Sequence, residues 1–139
     1  MRIDDFKYFL MLDDSDDELF LTKAIFQLAY PGIPFRCERD PTQAMVHLRS
    51  TVTAGTRPAE ICILLDIRMP RINGFELIYR LRNEIATYEC CILMLSASRV
   101  LDDRTHSAAI GADGFVSKPF KIVNLERALS ACEGPARAA

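Results

Sequence analysis

The chain has 139 residues and a formal net charge of −2; 50% of its residues are hydrophobic and 26% are charged. This length is typical of one domain that buries a core without disulfide bonds or structural metal ions. The small net charge excludes a generally basic surface that would bind nucleic acid. No apolar run approaches the ~20 residues of a membrane span, and no signal peptide precedes the first predicted strand. We therefore expect a single cytoplasmic domain over residues 1–139, with its core at about residues 7–132 and no membrane contact.

The cysteines are odd in number, lie mostly in apolar runs and lack the spacing of metal ligands. They are Cys37, Cys62, Cys90, Cys91 and Cys132. This pattern indicates reduced thiols in a cytosolic protein, although the adjacent Cys90 and Cys91 leave a redox role open. His47 and His106 fall far apart in helical patterns, which favours surface or packing roles over metal ligation.

Five apolar runs predict strands, and each is followed by a helical pattern. The predicted strands are Tyr8 to Leu12, Phe35 to Glu38, Ile61 to Leu65, Cys91 to Leu95 and Phe115 to Ser117. The predicted helices are Asp16 to Ala29, Pro41 to about Leu48, Phe75 to about Ile85, about Val100 to Ile110, and Lys121 to Ala131. Strands that alternate with helices predict a parallel α/β sheet with helices on both faces.

The apolar periodicity also predicts helix faces. In the first helix, Phe20, Ala24 and Leu28 share one face. The inward face predicted for the second helix is weak and consists of Ala44, Val46 and Leu48.

Polar side chains stand at four of the predicted strand ends. Asp13 and Asp14 follow the first strand, Asp66 the third, Ser96 the fourth and Lys118 the fifth. Because parallel strands end at the same edge of a sheet, and ligands of open α/β sheets bind there, we expect these groups to converge. Taken by itself, Asp66 could also be an ordinary turn residue, because Pro70 and the Asn73-Gly74 pair follow it.

Three neighbouring carboxylates repel one another unless a cation balances them. Mg²⁺ prefers oxygen ligands and commonly joins one or two carboxylates to phosphate oxygens. The paired Asp13 and Asp14 suit metal binding, whereas Asp66, alone after the most buried strand, is the best phosphoryl acceptor. Lys118 and Ser96 are suited to neutralising the phosphoryl group and donating a hydrogen bond to it.

Four motifs at these strand ends resemble the receiver domain of two-component response regulators. They read LDDSDDE, LLDIRMPRINGFEL, LMLSAS and DGFVSKPF, and together they cover essentially the whole chain. The resemblance implies a flavodoxin-like fold, a doubly wound five-stranded parallel sheet in the order 2-1-3-4-5. It also implies that a histidine kinase or a phosphotransfer protein phosphorylates Asp66.

The family pattern implies further site roles. Mg²⁺ would be held by Asp14, Asp66 and the backbone carbonyl of Arg68, with Asp13 reaching it largely through water. The phosphoryl group would be bound by Ser96, Ala97 and Lys118. The peptide bond that is cis in this family would precede Pro119.

Ser96 and Phe115 are the expected switch pair, since in the family both move when the acceptor is phosphorylated. Phe115 lacks the hydroxyl of the more common Tyr, so we expect the switch to work by packing. Arg68, two residues after the acceptor, is predicted either to alter the lifetime of the phosphorylated state or to be a solvated surface residue.

No output domain follows Ala131 in this sequence, so we expect a stand-alone receiver without a DNA-binding domain. The resemblance implies that it signals through the surface formed by the helix at 100–110, the fifth strand and the last helix. The stretch DDSDDELFLTKAIFQ also looks somewhat like small regulators paired with bacteriophytochromes. The sequence leaves open the downstream partner, the cognate kinase and any homodimer.

Three other functions are compatible with an α/β fold but match these residues less well. A phosphohydrolase of the haloacid dehalogenase type needs a second acid two residues after its nucleophile, where this chain has Arg68. A receiver that only binds proteins, without being phosphorylated, would lack the acceptor Asp, the acid pair or the Lys, and this sequence contains all of them. A nucleotide-binding or flavin-binding protein needs a Gly-rich or Ser/Thr-rich loop after the first strand, where LDDSDDE is acidic.

Overall fold

The computed structural model describes residues 1–66, 68–69, 72–84, 86–96 and 111–132. Side chains are not described at positions 68, 69 and 72. Ala97, His106, the predicted helix at 100–110 and the tail at 133–139 therefore lie outside the described residues. Within the described part, no helix is both long and apolar enough to cross a bilayer.

Five parallel strands form the central sheet. They are β1 (Tyr8–Leu12), β2 (Phe35–Glu38), β3 (Ile61–Asp66), β4 (Cys91–Ser96) and β5 (Gly114–Ser117). Their order across the sheet is β2-β1-β3-β4-β5, with every neighbouring pair parallel. The predicted flavodoxin-like fold with strand order 2-1-3-4-5 is confirmed. All residues of β3 and β4 are buried, because both strands are covered by helices on the two faces of the sheet.

Four α-helices are described. They are α1 (Asp16–Ala29), α2 (Pro41–Thr53), α3 (Gly74–Arg82) and α4 (Ile122–Ser130). The hydroxyl of Ser15 caps α1 by accepting from the Glu18 backbone N–H at 3.3 Å, and Asp40 caps α2, whose first residue is proline. Helix α2 continues to Thr53, so its predicted end at Leu48 was five residues short.

Shorter elements complete the described chain. They are two 3₁₀ turns at Ile3–Asp5 and Pro58–Glu60, and an antiparallel pair of Arg68–Met69 with Ile72–Asn73. Gly111 has a φ of +112°, a conformation that favours glycine.

The sheet separates two apolar layers, since alternate strand residues point to opposite faces. Phe9 of β1 packs with α1 and α4, and its ring centroid lies 4.7 Å from that of Phe26. Leu10 of β1 points the other way and packs with α2 and α3. The buried α2 residues are Ala44, Met45 and Leu48; Val46 is 43% exposed, so its predicted inward position was wrong.

The face of α1 that carries Phe20, Ala24 and Leu28 points to solvent. Phe20 is 77% exposed and Leu28 86% exposed. The buried face instead consists of Leu19, Thr22 and Phe26.

All five cysteines are free thiols. Burial raises the pKa of Cys90 to about 12, so this thiol stays protonated near neutral pH and is a poor nucleophile. His47 lies on α2, and its Nε2 contacts Glu38 Oε1 at 2.9 Å.

Candidate functional site

Three carboxylates meet at the carboxyl edge of the sheet. Asp13 and Asp14 directly follow β1, and Asp66 is the last residue of the neighbouring β3. One oxygen from each carboxylate lies within 4.8 Å of one from each of the other two. A hard divalent cation takes oxygen ligands at such spacing, so the three acids could hold a metal ion.

Asp13 shows the strongest need for a cation. Its side chain is fully buried, and its Oδ1 accepts from the Ser15 backbone N–H at 3.0 Å. Its buried Oδ2 has no hydrogen-bond partner among the described residues. Unpaired buried carboxylate oxygens are costly, and a metal ion or its bound water would satisfy this one. The donor set therefore fits Mg²⁺.

Burial raises the pKa of Asp13 from 3.8 to about 6. The Ser15 N–H opposes this shift by stabilising the carboxylate, whereas the negative charge of Asp66 adds to the rise in the pKa. The charge of Lys118 lowers the pKa of Asp13, and that of Asp14 raises it. Metal binding must therefore compete with a proton at Asp13 below about pH 6.

Lys118 reaches the acid cluster from β5. Its Nζ donates to Asp66 Oδ2 at 3.1 Å, and the two side chains are only 19% and 10% exposed. The Lys118 backbone N–H donates to the Ser96 carbonyl at 3.0 Å. This bond holds the residue that follows β5 against the end of β4. The peptide bond between Lys118 and Pro119 is cis, as the resemblance implied.

Ser96 and Phe115 lie on neighbouring strands. Ser96 ends β4 and is 6% exposed. Phe115 on β5 is half-buried, pairs in register with Met94 and packs against the apolar layer beneath α2 and α3. The structure thus brings Asp13, Asp14, Asp66, Ser96 and Lys118 to one edge, while Ala97 and the Arg68 side chain lie outside the described residues.

Asn73 supports the site in a way that sequence reasoning missed. It caps α3, and its Oδ1 accepts from the backbone N–H groups of Phe75 at 3.0 Å and Glu76 at 3.3 Å. This cap fixes where the helix begins after the loop that follows Asp66. An Asn before a helical pattern is an N-cap signature, but the Asn-Gly pair was interpreted only as a turn.

A family model described as response regulator receiver domain matches residues 9–130. The chain belongs to this family. The protein is thus a receiver module of two-component signalling, and the match runs from the second residue of β1 to the end of α4.

Relatives of this receiver include "Response regulator GtcR" of Aneurinibacillus migulanus, 33% identical over 121 residues. The match spans 82% of this chain and 42% of that protein. "Transcriptional regulatory protein TctD" of Salmonella typhimurium is 32% identical over 124 residues, spanning 88% of this chain and 50% of the relative. The chain therefore spans about half or less of the length of these curated relatives.

Solved structures share the fold. Chemotaxis response regulator CheY4 of Vibrio cholerae superposes with a TM-score of 0.70 at 25% identity, covering 90% of this chain and 97% of CheY4. The bacteriophytochrome response regulator AtBRR superposes with a TM-score of 0.72 at 24% identity, covering 91% of this chain and 92% of AtBRR. The second likeness is one of fold alone.

Proposed function

We propose that this receiver, over about residues 7–132, accepts a phosphoryl group on Asp66 from a histidine kinase or a phosphotransfer protein. The observation that carries the proposal is the 3.1 Å contact between Lys118 Nζ and Asp66 Oδ2, beside Asp13 and Asp14, which form no ion pair with any described residue. In the transfer, an Asp66 oxygen forms a bond to phosphorus, and the bond from phosphorus to the donor nitrogen breaks. Uptake and loss of this group are its only chemistry, without turnover of a substrate.

The acid cluster would hold the metal ion. Asp14 and Asp66 would supply carboxylate oxygens, the Arg68 backbone a carbonyl oxygen, and Asp13 would contact the ion largely through water. Mg²⁺, when bound, neutralises charge on the acceptor and the phosphoryl oxygens. The unpaired Oδ2 of Asp13 supports this assignment.

Lys118 and the end of β4 would hold the transferred group. The ammonium of Lys118 would turn from Asp66 to a phosphoryl oxygen, since phosphorylation places new negative charge within its reach. The Ser96 hydroxyl and the Ala97 backbone N–H would donate hydrogen bonds to the remaining oxygens. This arrangement stabilises a dispersed negative charge by position and needs no general base.

The readout would pass from Ser96 to Phe115 by packing. When Ser96 moves toward the phosphoryl group, space opens for the half-buried Phe115 ring to turn inward. Phe115 lies on β5, the strand that contacts α4, so a change in its position would alter the surface that the resemblance assigns to signalling. That surface would bind a downstream protein or a second copy of the chain.

The adduct itself is the direct test of this function. Incubation with acetyl phosphate and Mg²⁺ should add one phosphoryl group, about 80 mass units by its formula, as expected for an alkali-labile aspartyl phosphate. The addition should disappear in Asp66→Asn and when EDTA removes the metal. An adduct that persists in Asp66→Asn, or no adduct with intact Mg²⁺ binding, would contradict the proposal.

Ser96→Ala should slow phosphorylation by acetyl phosphate by about tenfold or more, because it removes a hydroxyl that donates to developing charge. Mg²⁺ affinity should be unchanged. Ser117→Ala is the matched control, since Ser117 ends the neighbouring strand and pairs in register with Ser96. Stopped-flow measurement of the phosphorylation rate distinguishes the two variants. Equal rates for Ser96→Ala and wild type would contradict the proposed role of Ser96 in phosphoryl transfer.

A further inference from the structure

The outer edge of β2 is open in the described part of the chain, because β2 is the first strand in the sheet order. On its inner side β2 pairs with β1, where the Phe9 N–H donates to the Pro34 carbonyl at 3.0 Å and Phe9 lies in register with Phe35. Along a strand in a parallel ladder, residues bonded to one neighbour alternate with residues whose N–H and C=O groups point the other way. The backbone groups of Phe35 and Cys37 therefore point away from β1 toward this edge.

The backbone groups of Phe35 and Cys37 provide two donors and two acceptors. None of them bonds to another backbone group within the described residues. β2 also pairs with β1 over four consecutive residues, so it lacks the bulge that protects many edge strands. An extended peptide that adds a strand here would satisfy these groups, which is a common mode of peptide recognition.

A groove of about 330 Å³ lies along the same edge. It is lined by the consecutive residues 34–37, together with Tyr8 and Lys23. Because Tyr8 and Phe35 are the first residues of β1 and β2, the groove lies toward the amino ends of the strands. The acid cluster lies at their carboxyl ends. The groove is therefore separate from the proposed site of phosphoryl transfer.

Both charged residues in the described lining of this groove are cations, Lys23 on α1 and Arg36 on β2. Lys23 forms no ion pair with a described residue. Arg36 contacts Glu38 through Nε at 3.1 Å, but the Arg36 side chain is 46% exposed and its two terminal nitrogens can still bind a second carboxylate. Glu38 also lies 2.9 Å from His47 Nε2, so its carboxylate is already engaged. The groove thus favours an acidic ligand.

The same cations disfavour a second copy of this chain as the added strand. Two β2 strands paired across a two-fold axis would bring Lys23 and Arg36 of one copy to the edge that carries the same cations in the other. Like charges directly opposite one another destabilise a strand pair, whereas opposite charges stabilise it. The charge of this edge therefore selects a partner whose strand carries carboxylates.

We propose that the outer edge of β2 binds an extended acidic segment of a partner protein as an added strand. The backbone of that segment pairs with Phe35 and Cys37. Lys23 belongs to α1, which covers the face of the sheet to which Phe35 points, whereas Arg36 points to the opposite face. Two adjacent carboxylates on the added strand therefore reach both cations, since successive side chains point to opposite faces. This binding needs no phosphoryl group on Asp66 and is independent of the proposed function.

The test is an NMR titration of the full isotope-labelled chain with the peptide Thr-Val-Glu-Glu-Val-Thr, acetylated and amidated at its ends. Saturable shifts should appear at the amides of Phe35 and Cys37, and hydrogen exchange of these two N–H groups should slow by about tenfold near saturation. Exchange at Arg36 and Glu38 should change by less than about twofold, because their N–H groups already face β1.

Two altered peptides separate strand pairing from charge attraction. Proline in place of both valines leaves the charge unchanged but removes an N–H that faces β2 in either strand register, so this peptide should not bind. Lysine in place of both glutamates reverses the charge and should weaken binding by at least about tenfold.

Variants of the chain test the same two contributions. Lys23→Gln and Arg36→Gln should each weaken binding of the acidic peptide by about three- to fivefold, as expected for exposed ion pairs. Arg127→Gln is the charge control, because Arg127 is exposed on α4 outside the groove lining, and it should bind like wild type. Cys37→Pro removes an N–H that faces the open edge, where a strand tolerates proline, and should abolish binding. Cys37→Ser keeps that N–H and should bind normally.

The outcomes decide between strand addition and its alternatives. Binding that requires both the carboxylates and the peptide N–H groups supports the proposal, and the peptide and charge variants decide this even if Cys37→Pro does not fold. Equal binding of the proline-substituted peptide, or no saturable binding up to about 5 mM of the acidic peptide, would overturn it. Dimers of the peptide-free chain that Lys23→Gln and Arg36→Gln strengthen, measured by sedimentation, would assign the edge to a second copy and also overturn it. Phosphorylation of Asp66 is unaffected by any of these results.

Discussion

Asp13→Asn is expected to stabilise the metal-free protein at pH 7.5 and to remove most of the stabilisation that Mg²⁺ provides. The native carboxylate is buried, one of its oxygens has no hydrogen-bond partner in the described part of the chain, and burial raises its pKa from 3.8 to about 6. An amide has no charge to desolvate and can donate to the neighbouring carboxylates of Asp14 or Asp66. The free energy of unfolding, measured with urea, should rise by about 2–3 kcal/mol.

The sign follows from the raised pKa. An acid whose pKa is higher in the folded state contributes stability below its unfolded pKa, here 3.8, and that stability is lost as the pH rises through about 6. The advantage of Asp13→Asn should therefore be largest above pH 6 and shrink toward pH 3.8.

Asp14→Asn is the matched control for this prediction, because Asp14 is only half-buried in the same cluster. It should weaken the response to Mg²⁺ without a comparable gain in metal-free stability. If Asp13→Asn destabilised the metal-free protein at pH 7.5 as much as an ordinary buried substitution does, the buried charge of Asp13 would not carry the energetic cost that we assign to it.

Arg82→Met should lower the free energy of unfolding by about 3–5 kcal/mol, as is typical when one partner of a buried ion pair is removed. Arg82 and Asp113 are 11% and 15% exposed, and Arg82 Nη2 donates to Asp113 Oδ2 at 2.8 Å. The same guanidinium donates to the carbonyls of Gly111, Tyr88 and Cys90. The substitution leaves a buried charge and three carbonyls without this donor.

Arg49→Met provides the comparison. Arg49 makes a two-pronged ion pair with Glu84, at 2.6 and 3.2 Å, but its side chain is 50% exposed. Removing this pair should cost no more than about 1 kcal/mol. Urea unfolding of both variants at pH 7.5 measures the difference, and similar losses for the two would show that burial does not set the value of the Arg82 network.

The sheet was predictable because each strand is a short apolar run bounded by polar residues or turns, and the alternation with helices leaves few topologies. The start of α2 was also predictable, since Asp40 followed by Pro41 is a cap and a first-turn residue. The helix faces were harder. Helix α1 carries apolar side chains on two sides, and periodicity alone could not distinguish the stripe of Phe20 and Leu28 from the buried stripe of Leu19 and Phe26.

The members of the site could be predicted from strand ends, but its energetics could not. That Asp13 is fully buried, and that its Oδ2 lacks a partner among the described residues, depends on side-chain positions contributed by separate strands. A cleft beside Asp14 is lined by both Arg39 and Arg80, which are 41 positions apart in sequence, and neither belongs to a family motif. The Arg82 network likewise arises only when α3 packs beside the start of β4 and the segment before β5.

The most direct test of the central claim is to locate the phosphoryl group on the chain. Borohydride reduces an aspartyl phosphate to homoserine, so protein treated with acetyl phosphate and Mg²⁺ can be reduced, digested and sequenced by tandem mass spectrometry. We expect homoserine at position 66 and aspartate at positions 13 and 14. Homoserine at position 13 or 14, or unaltered aspartate at position 66 in protein that carries the added mass, would contradict the account.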